Sequence, residues 1–278
     1  MERATAKGPR RRLSLSVRGL MLLVLGLGVW LGWQVRLARE QREAAAALTA
    51  YGGVVRFDWE LGDGLLASAG AAWVPDWLRR AIGDDFFQSV VEVNMIYADR
   101  RGKPILTARE LEDLASKLSA FPRLRHLDIT PELTTDRTMD VIEGLTELET
   151  LRIWGHALTE AGFAKIRSLR NLKVLQVNVL EVDDAELQDD ALAHLAPLVR
   201  LEHLDLSGNP ITDAGLVHLK GLKSLAFLNI NRTRVSDAGL EELRGLVNLK
   251  EVWVGQTAVT GEGWERFCAK MPNVDPDP

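Results

Sequence analysis

The chain has 278 residues, 46% of them hydrophobic and 26% charged, the balance of a folded protein with room for one sizeable domain or two small ones. Charge is unevenly placed: residues 1–50 hold nine Lys/Arg and three Asp/Glu, which leaves 25 basic and 36 acidic residues from Tyr51 onward, a body that repels phosphate backbones and argues against a nucleic-acid partner. The single cysteine, Cys268, excludes an intrachain disulfide and any cysteine-cluster metal site.

A basic tail, residues 1–18, carries Arg3, Lys7, Arg10, Arg11, Arg12 and Arg18. Residues 19–35 then run without a formal charge, with Trp30 and Trp33 near the far end. As a helix this run rises about 25 Å, the short limit for a bilayer, and the flanking arginines extend it by snorkelling. A cleaved signal peptide is the alternative. The length of the run, Arg36 and Arg39 just beyond it, and the first small-residue tract only at 44–47 favour an uncleaved transmembrane helix. Six basic residues precede the run and three come after it, so the amino end is expected in the cytoplasm and the body outside, periplasmic or extracytoplasmic. Gly28 and Gly32 have the spacing of a helix-packing face. Residues 36–53 read as a helical stalk that stops at Gly52-Gly53.

Residues 54–106 are expected to form an amino-terminal cap over the first open layer of a repeat stack. Val54-Val-Arg-Phe57-Asp-Trp59 and Val90-Val-Glu-Val93-Asn-Met95 alternate as strands, and Trp59, Trp73, Trp77, Phe86 and Phe87 supply apolar bulk for a cap core. Thr107 and Glu110 have the spacing of a capping box at the start of a helix bearing Leu111, Leu114 and Leu118.

Residues 107–278 are built of copies. Apolar strand pairs recur at Leu127/Ile129, Leu151/Ile153, Leu175/Val177, Leu204/Leu206, Leu228/Ile230 and Val252/Val254, at steps of 24, 24, 29, 24 and 24 residues. The stretch 201–211 matches L-x-x-L-x-L-x-x-N-x-L position for position, with Asn209 placed to satisfy backbone groups where the chain turns. After most strands comes one phrase: Thr159-Glu-Ala-Gly-Phe163, Thr212-Asp-Ala-Gly-Leu216, Ser236-Asp-Ala-Gly-Leu240 and Thr260-Gly-Glu-Gly-Trp264. Its Thr or Ser caps a short helix. In the long step, five residues are inserted between Asn178 and Leu187, and Glu181, Asp183, Asp184, Glu186, Asp189 and Asp190 crowd the region 181–190. Calcium is the ligand such acids would gather, but the spacing and glycine of an EF-hand are missing, and a solvated acidic loop is the simpler reading.

On these residues the chain resembles the leucine-rich-repeat family from about residue 90 to the end. The repeated phrase, the single apolar segment, and Trp-Leu-Arg-Arg-Ala-Ile-Gly-Asp-Asp-Phe-Phe at 77–87 look like membrane-anchored repeat proteins of planctomycete-type bacteria. The resemblance implies an α/β fold: a curved solenoid with a parallel sheet on its concave face and short helices on its convex face. It implies protein recognition as the role, and no catalytic residues. Met139 and Trp264 stand where the family pattern has leucine.

In such a fold the residues between and beside the strand leucines face outward. The expected partner-binding face comprises Arg152, Trp154, Gln176, His203, Asp205, Phe227, Asn229 and Trp253, with exposed aromatics and arginine as the usual anchors for a protein or peptide ligand. His126 and His203 fall three strands apart, roughly 14 Å, too far to share a metal. No Gly-x-Ser-x-Gly, H-E-x-x-H, Walker or dinucleotide fingerprint is present, so neither an enzyme nor a cofactor site is expected. The sequence points to a membrane-anchored recognition module, with structural assembly in the cell envelope through the anchor as the alternative.

Overall fold

The computed structural model describes residues 17–58, 89–95, 107–155, 158–178 and 188–275. Trp59, Trp73, Trp77, Phe86 and Phe87, read as cap core, lie outside the described residues, as do Glu181, Asp183, Asp184 and Glu186. A long helix α1 (Val17–Ala50) leads into strands β1 (Val54–Phe57) and β2 (Val90–Asn94). Helix α2 (Ala108–Lys117) comes next, then β3 (His126–Ile129), α3 (Asp136–Ile142), β4 (Thr150–Trp154), α4 (Glu160–Phe163) and β5 (Val174–Asn178). A 3-10 segment, Asp189–Leu195, stands where the next helix would be, before β6 (His203–Asp205), α5 (Asp213–Leu216), β7 (Phe227–Asn229), α6 (Asp237–Glu242), β8 (Glu251–Trp253) and α7 (Gly261–Lys270). The eight strands form one sheet in sequence order, β1 antiparallel to β2 and every later neighbour parallel.

The register explains why the repeat length matters. Leu127, Leu151, Leu175, Leu204, Leu228 and Val252 pair in succession across the sheet, and each is 0% exposed. The 29-residue step keeps this register, since Leu175 still pairs with Leu204, so the insertion leaves the ladder of the sheet intact. Facing these side chains across the core are Met139, Phe163, Leu192, Leu216 and Leu240 from the helical side, all buried. Met139 therefore occupies its leucine-like place without opening a gap, as expected for a flexible side chain of similar volume. At the far end, α7 is longer than the repeat helices α3 to α6. Phe267, Met271 and Val274 bury there and close the last layer, with the Trp264 ring 5.7 Å from that of Phe267.

The repeated phrase has a division of labour. Each Thr or Ser caps its own helix: Thr135, Thr159, Thr212, Ser236 and Thr260 accept from backbone N–H groups two or three residues on. The Asp beside it reaches into the next repeat. Asp136 accepts from Thr159 N–H and Oγ1–H, Asp189 from Thr212, Asp213 from Ser236 and Asp237 from Thr260, through both carboxylate oxygens each time. The glycine makes room for that incoming carboxylate, because a Cβ at Gly162, Gly215, Gly239 or Gly263 would collide with the Asp of the preceding repeat. The exception obeys the rule. Glu160 stands where the Asp would be and sends no such bond forward, and the next repeat has Ala191 in place of glycine.

The turns after β6, β7 and β8 are each closed by a side chain. Asn209, fully buried, donates from Nδ2 to the carbonyls of Val177 and Leu206, both at 2.8 Å. At the equivalent place in later repeats, Thr233 and Thr257 donate to the carbonyls of Ile230 and Val254.

Among the described residues, the last turns of α1 pack on the amino-terminal end of the core. Apolar segment and stalk form one uninterrupted helix of 34 residues, whose final turns are packed: Ala44, Ala45 and Leu48 belong to the buried core. The helix stops where the sequence places its glycines. Gly52 is left-handed at φ +90°, and the amides of Gly52 and Gly53 donate to the carbonyls of Thr49 and Leu48. Between Leu20 and Val35 the same helix is exposed along its apolar length, with none of that length buried inside the protein. The expected capping box is formed at α2, with Thr107 N–H donating to Glu110 Oε2 (2.8 Å) and Glu110 N–H to Thr107 Oγ1 (3.3 Å); it holds the Glu110 carboxyl below its ordinary range.

Candidate binding face

The outer face of the sheet, away from the helices, carries the alternate residues of every strand. Register sets them in two continuous columns. One runs Glu92, His126, Thr150, Val174, His203, Phe227, Glu251; the other runs Asn94, Asp128, Arg152, Gln176, Asp205, Asn229, Trp253. A third, shorter column begins at Trp154 beside Asn178.

The amino-terminal half of this face is polar and internally paired. Asp128 is 6% exposed; it accepts from Asn94 Nδ2 at 2.7 Å and from Arg152 Nη1 at 3.3 Å. Burial pushes the Asp128 carboxyl above its ordinary range, against the opposing pull of the Arg152 guanidinium. Arg56 pairs with Glu92 at 3.4 Å. Arg152, expected as a free anchor beside Trp154, is thus tied across the strand to Asp128. Trp154 is half-buried, and its Nε1 has no hydrogen-bond partner among the described residues.

The carboxy-terminal half is aromatic. His203 stacks on Phe227, centroids 5.7 Å apart at 26°, and Phe227 meets Trp253 edge to face at 5.2 Å and 75°. Trp253 remains 38% exposed, so the terminal helix does not cover it. Its Nε1–H donates to Glu251 Oε1 at 2.6 Å, which fixes the indole from two residues away. Asp205 and Asn229 each accept, through Oδ1, the backbone N–H two residues on, at Ser207 and Asn231. These bonds shape the strand ends, and Asn229 is buried in doing so. Of the eight expected residues, five therefore converge on β6 to β8, namely His203, Asp205, Phe227, Asn229 and Trp253. Gln176 is half-buried on β5, while Arg152 and Trp154 sit on β4 in a different setting. Glu251 belongs to the same cluster, and the repeat spacing already sets it on the outward flank beside Phe227.

Among the described residues no group of three or more His, Cys, Asp or Glu could hold a metal ion. Asp189, one of the six acids of the insertion, has both oxygens engaged by Thr212. His194 is not simply solvated, since it is half-buried with Nε2 3.6 Å from Glu160 Oε1. Cys268 is half-buried, and burial raises its thiol pKa, the opposite of an activated nucleophile.

Short parallel strands in fixed register, a leucine ladder behind them and one short helical segment per turn define a leucine-rich-repeat-type solenoid. No protein-family model matches the sequence, and no curated protein matches it. Among solved structures, an internalin from Listeria monocytogenes (inlF) aligns at 19% identity over 60% of this chain, with a TM-score of 0.42. This chain spans 56% of that protein's length. An internalin C2 (inlC2) from the same organism aligns at 19% identity over 70% of this chain and 81% of its own, with a TM-score of 0.47.

Proposed function

We propose that the protein is a membrane-anchored recognition module that binds a protein or peptide on the concave, outer face of its repeat sheet. One observation carries the reading: a row of three rings, His203 against Phe227 and Phe227 against Trp253, on the sheet face that the helices leave open. Aromatic side chains held rigid and left partly exposed are the usual anchors of protein interfaces. Arg152, Trp154, Gln176, Asp205 and Asn229 complete the proposed face. The anchor is α1, whose apolar stretch is long enough to cross a bilayer and is exposed along its length among the described residues. With more basic residues before than after that stretch, the repeats lie outside the cytoplasm. The likeness to membrane-anchored repeat proteins of planctomycete-type bacteria rests on the repeated phrase and this single apolar helix. A second reading, assembly within the envelope through the anchor, is favoured by the open surface at Gly26, Gly28 and Gly32.

The test is affinity capture from solubilised envelopes with the full chain as bait, beside a Phe227→Ala, Trp253→Ala bait of unchanged melting temperature. A protein retained by the first and lost by the second supports recognition at this face. Equal retention by both overturns it, and loss of retention on Gly28→Leu instead favours assembly through the anchor.

A further inference from the structure

The six outward residues of β6 to β8 form a small grid. His203, Phe227 and Glu251 make one column, Asp205, Asn229 and Trp253 the other. Neighbouring strands lie about 4.8 Å apart, so the grid is roughly one side chain deep and three wide. Its corners alternate: carboxylates Asp205 and Glu251 at one pair of opposite corners, rings His203 and Trp253 at the other, with Phe227 joining the two rings.

The chemistry of these groups is one-sided. Glu251 Oε1 is taken by the indole N–H of Trp253 and Asp205 Oδ1 by the amide of Ser207; among the described residues Glu251 Oε2 and Asp205 Oδ2 have no hydrogen-bond partner. The indole donor is used, so Trp253 offers its ring alone, and Phe227 has only a ring to offer. No Lys or Arg occupies the grid. Its neighbours Val174 and Gln176 on β5, and Ser207, Asn231 and Gly255 in the next column, carry no charge; at the rim Glu202 and Lys250 offset each other, and Arg232 donates from Nε to Gln256. The surface thus presents acceptors and π-faces and no fixed cation, its side-chain donors being the His203 imidazole and the amide of the buried Asn229. A neutral or acidic partner covering it would strip water from two unpaired carboxylates. A planar cation rich in donors satisfies both features, since a guanidinium stacks on an aromatic ring while its N–H fork meets a carboxylate.

We propose that the grid on β6 to β8 is a guanidinium pocket, recognising an arginine side chain of the protein or peptide partner. This rests on the binding-face reading above and adds to it the chemistry of the contacting residue. Glu251, on the strand of Trp253 and next to Phe227, accepts from the guanidinium; Phe227 and Trp253 form the surface on which it lies, and Asp205, two strands away, adds negative charge at the opposite corner.

The test is fluorescence anisotropy with the full chain in detergent at near-physiological salt. The probe is a dye-labelled acetyl-Gly-Arg-Gly-Arg-Gly amide, and its citrulline analogue keeps the shape and removes the charge. Saturable binding of the arginine peptide is expected, weaker by about ten-fold or more for citrulline. Asp205→Asn with Glu251→Gln, and separately Phe227→Ala with Trp253→Ala, each lower affinity by about ten-fold. Glu147→Gln with Glu265→Gln removes the same charge from exposed positions elsewhere and changes affinity by no more than about two-fold, being a long-range effect screened by salt. Equal binding of the citrulline peptide, an equal loss in the Glu147/Glu265 pair, or no saturable binding overturns the proposal. The two readings fail differently. If a captured partner depends on Phe227 and Trp253 but not on Asp205 and Glu251, and the arginine peptide does not bind, the face stands and the guanidinium pocket falls. If the ring pair has no effect on the captured partner, the face itself falls.

Discussion

Leu204 and Trp253 are both apolar strand residues, one on each side of the same sheet, and their burial separates their roles. Leu204 is fully buried, so Leu204→Ala leaves a cavity and is expected to cost about 2–5 kcal/mol, read as a fall in the denaturant midpoint. Phe227→Ala with Trp253→Ala removes rings already in partial contact with solvent, and a melting temperature within a few degrees of wild type is expected; a drop like that of Leu204→Ala would mean the rings are core. Alternation along each strand made this division legible, because successive side chains point to opposite faces. Asp128 was not legible in the same way. Its partners Asn94 and Arg152 lie 34 and 24 residues away, and only the register of the sheet brings them to one carboxylate. A titration belongs at this scale too. The backbone and side-chain bonds from Thr260, and then Arg266, hold the Asp237 carboxyl below its ordinary range. A depressed carboxyl stabilises the fold above its unfolded value, near 3.9, and the contribution is lost as pH falls through the folded value. Urea unfolding of Asp237→Ala against wild type should therefore show a gap at pH 7 that narrows at about pH 3; a gap independent of pH would mean the charge is irrelevant.

At the scale of the element, the repeated phrase is a clamp between turns of the solenoid. In sequence it reads as a marker of period, and its threonine as a helix cap. That its Asp serves the next repeat while its Gly serves the previous one needs neighbouring repeats in view. The pairing predicts coupling. Gly239→Ala places a methyl against Asp213 and Val235, so it should destabilise, whereas Gly221→Ala meets nothing within 4 Å and should be neutral or stabilising by about 0.4–1 kcal/mol. Asp213→Ala costs the two bonds to Ser236 but removes part of that collision. The double variant Asp213→Ala, Gly239→Ala should then be less destabilised than the sum of the singles, measured as a double-mutant cycle; strict additivity would sink the clamp.

For the whole molecule, among the described residues α7 covers one end of the solenoid and the last turns of α1 pack on the other. Repeat stacks need such ends, since a bare terminal layer exposes core. In sequence the carboxy-terminal closure shows only as a departure from the repeat, Trp264 where the pattern has leucine. At the amino end the sequence points to residues 54–106 and does not mark the part of α1, because a helix rich in alanine reads the same whether it stands in solvent or packs. A chain trimmed to residues 51–278 loses Ala44, Ala45 and Leu48 from the core and is expected to melt lower and exchange β2 amides faster than the full chain. Equal stability and exchange would show that α1 is dispensable to the fold.

The continuity of α1 has a bearing on direction. A helix that enters the core without a break leaves no swivel between the apolar segment and the repeats. Under the proposed anchoring, the azimuth at which the ring-bearing face looks out over the membrane is then a matter of helical phase. Each residue adds about 100° of turn and 1.5 Å of rise. One alanine inserted between Arg36 and Glu40 would swing the whole sheet by more than a quarter turn while leaving every repeat as it was, so this short stretch acts as the compass setting of the molecule.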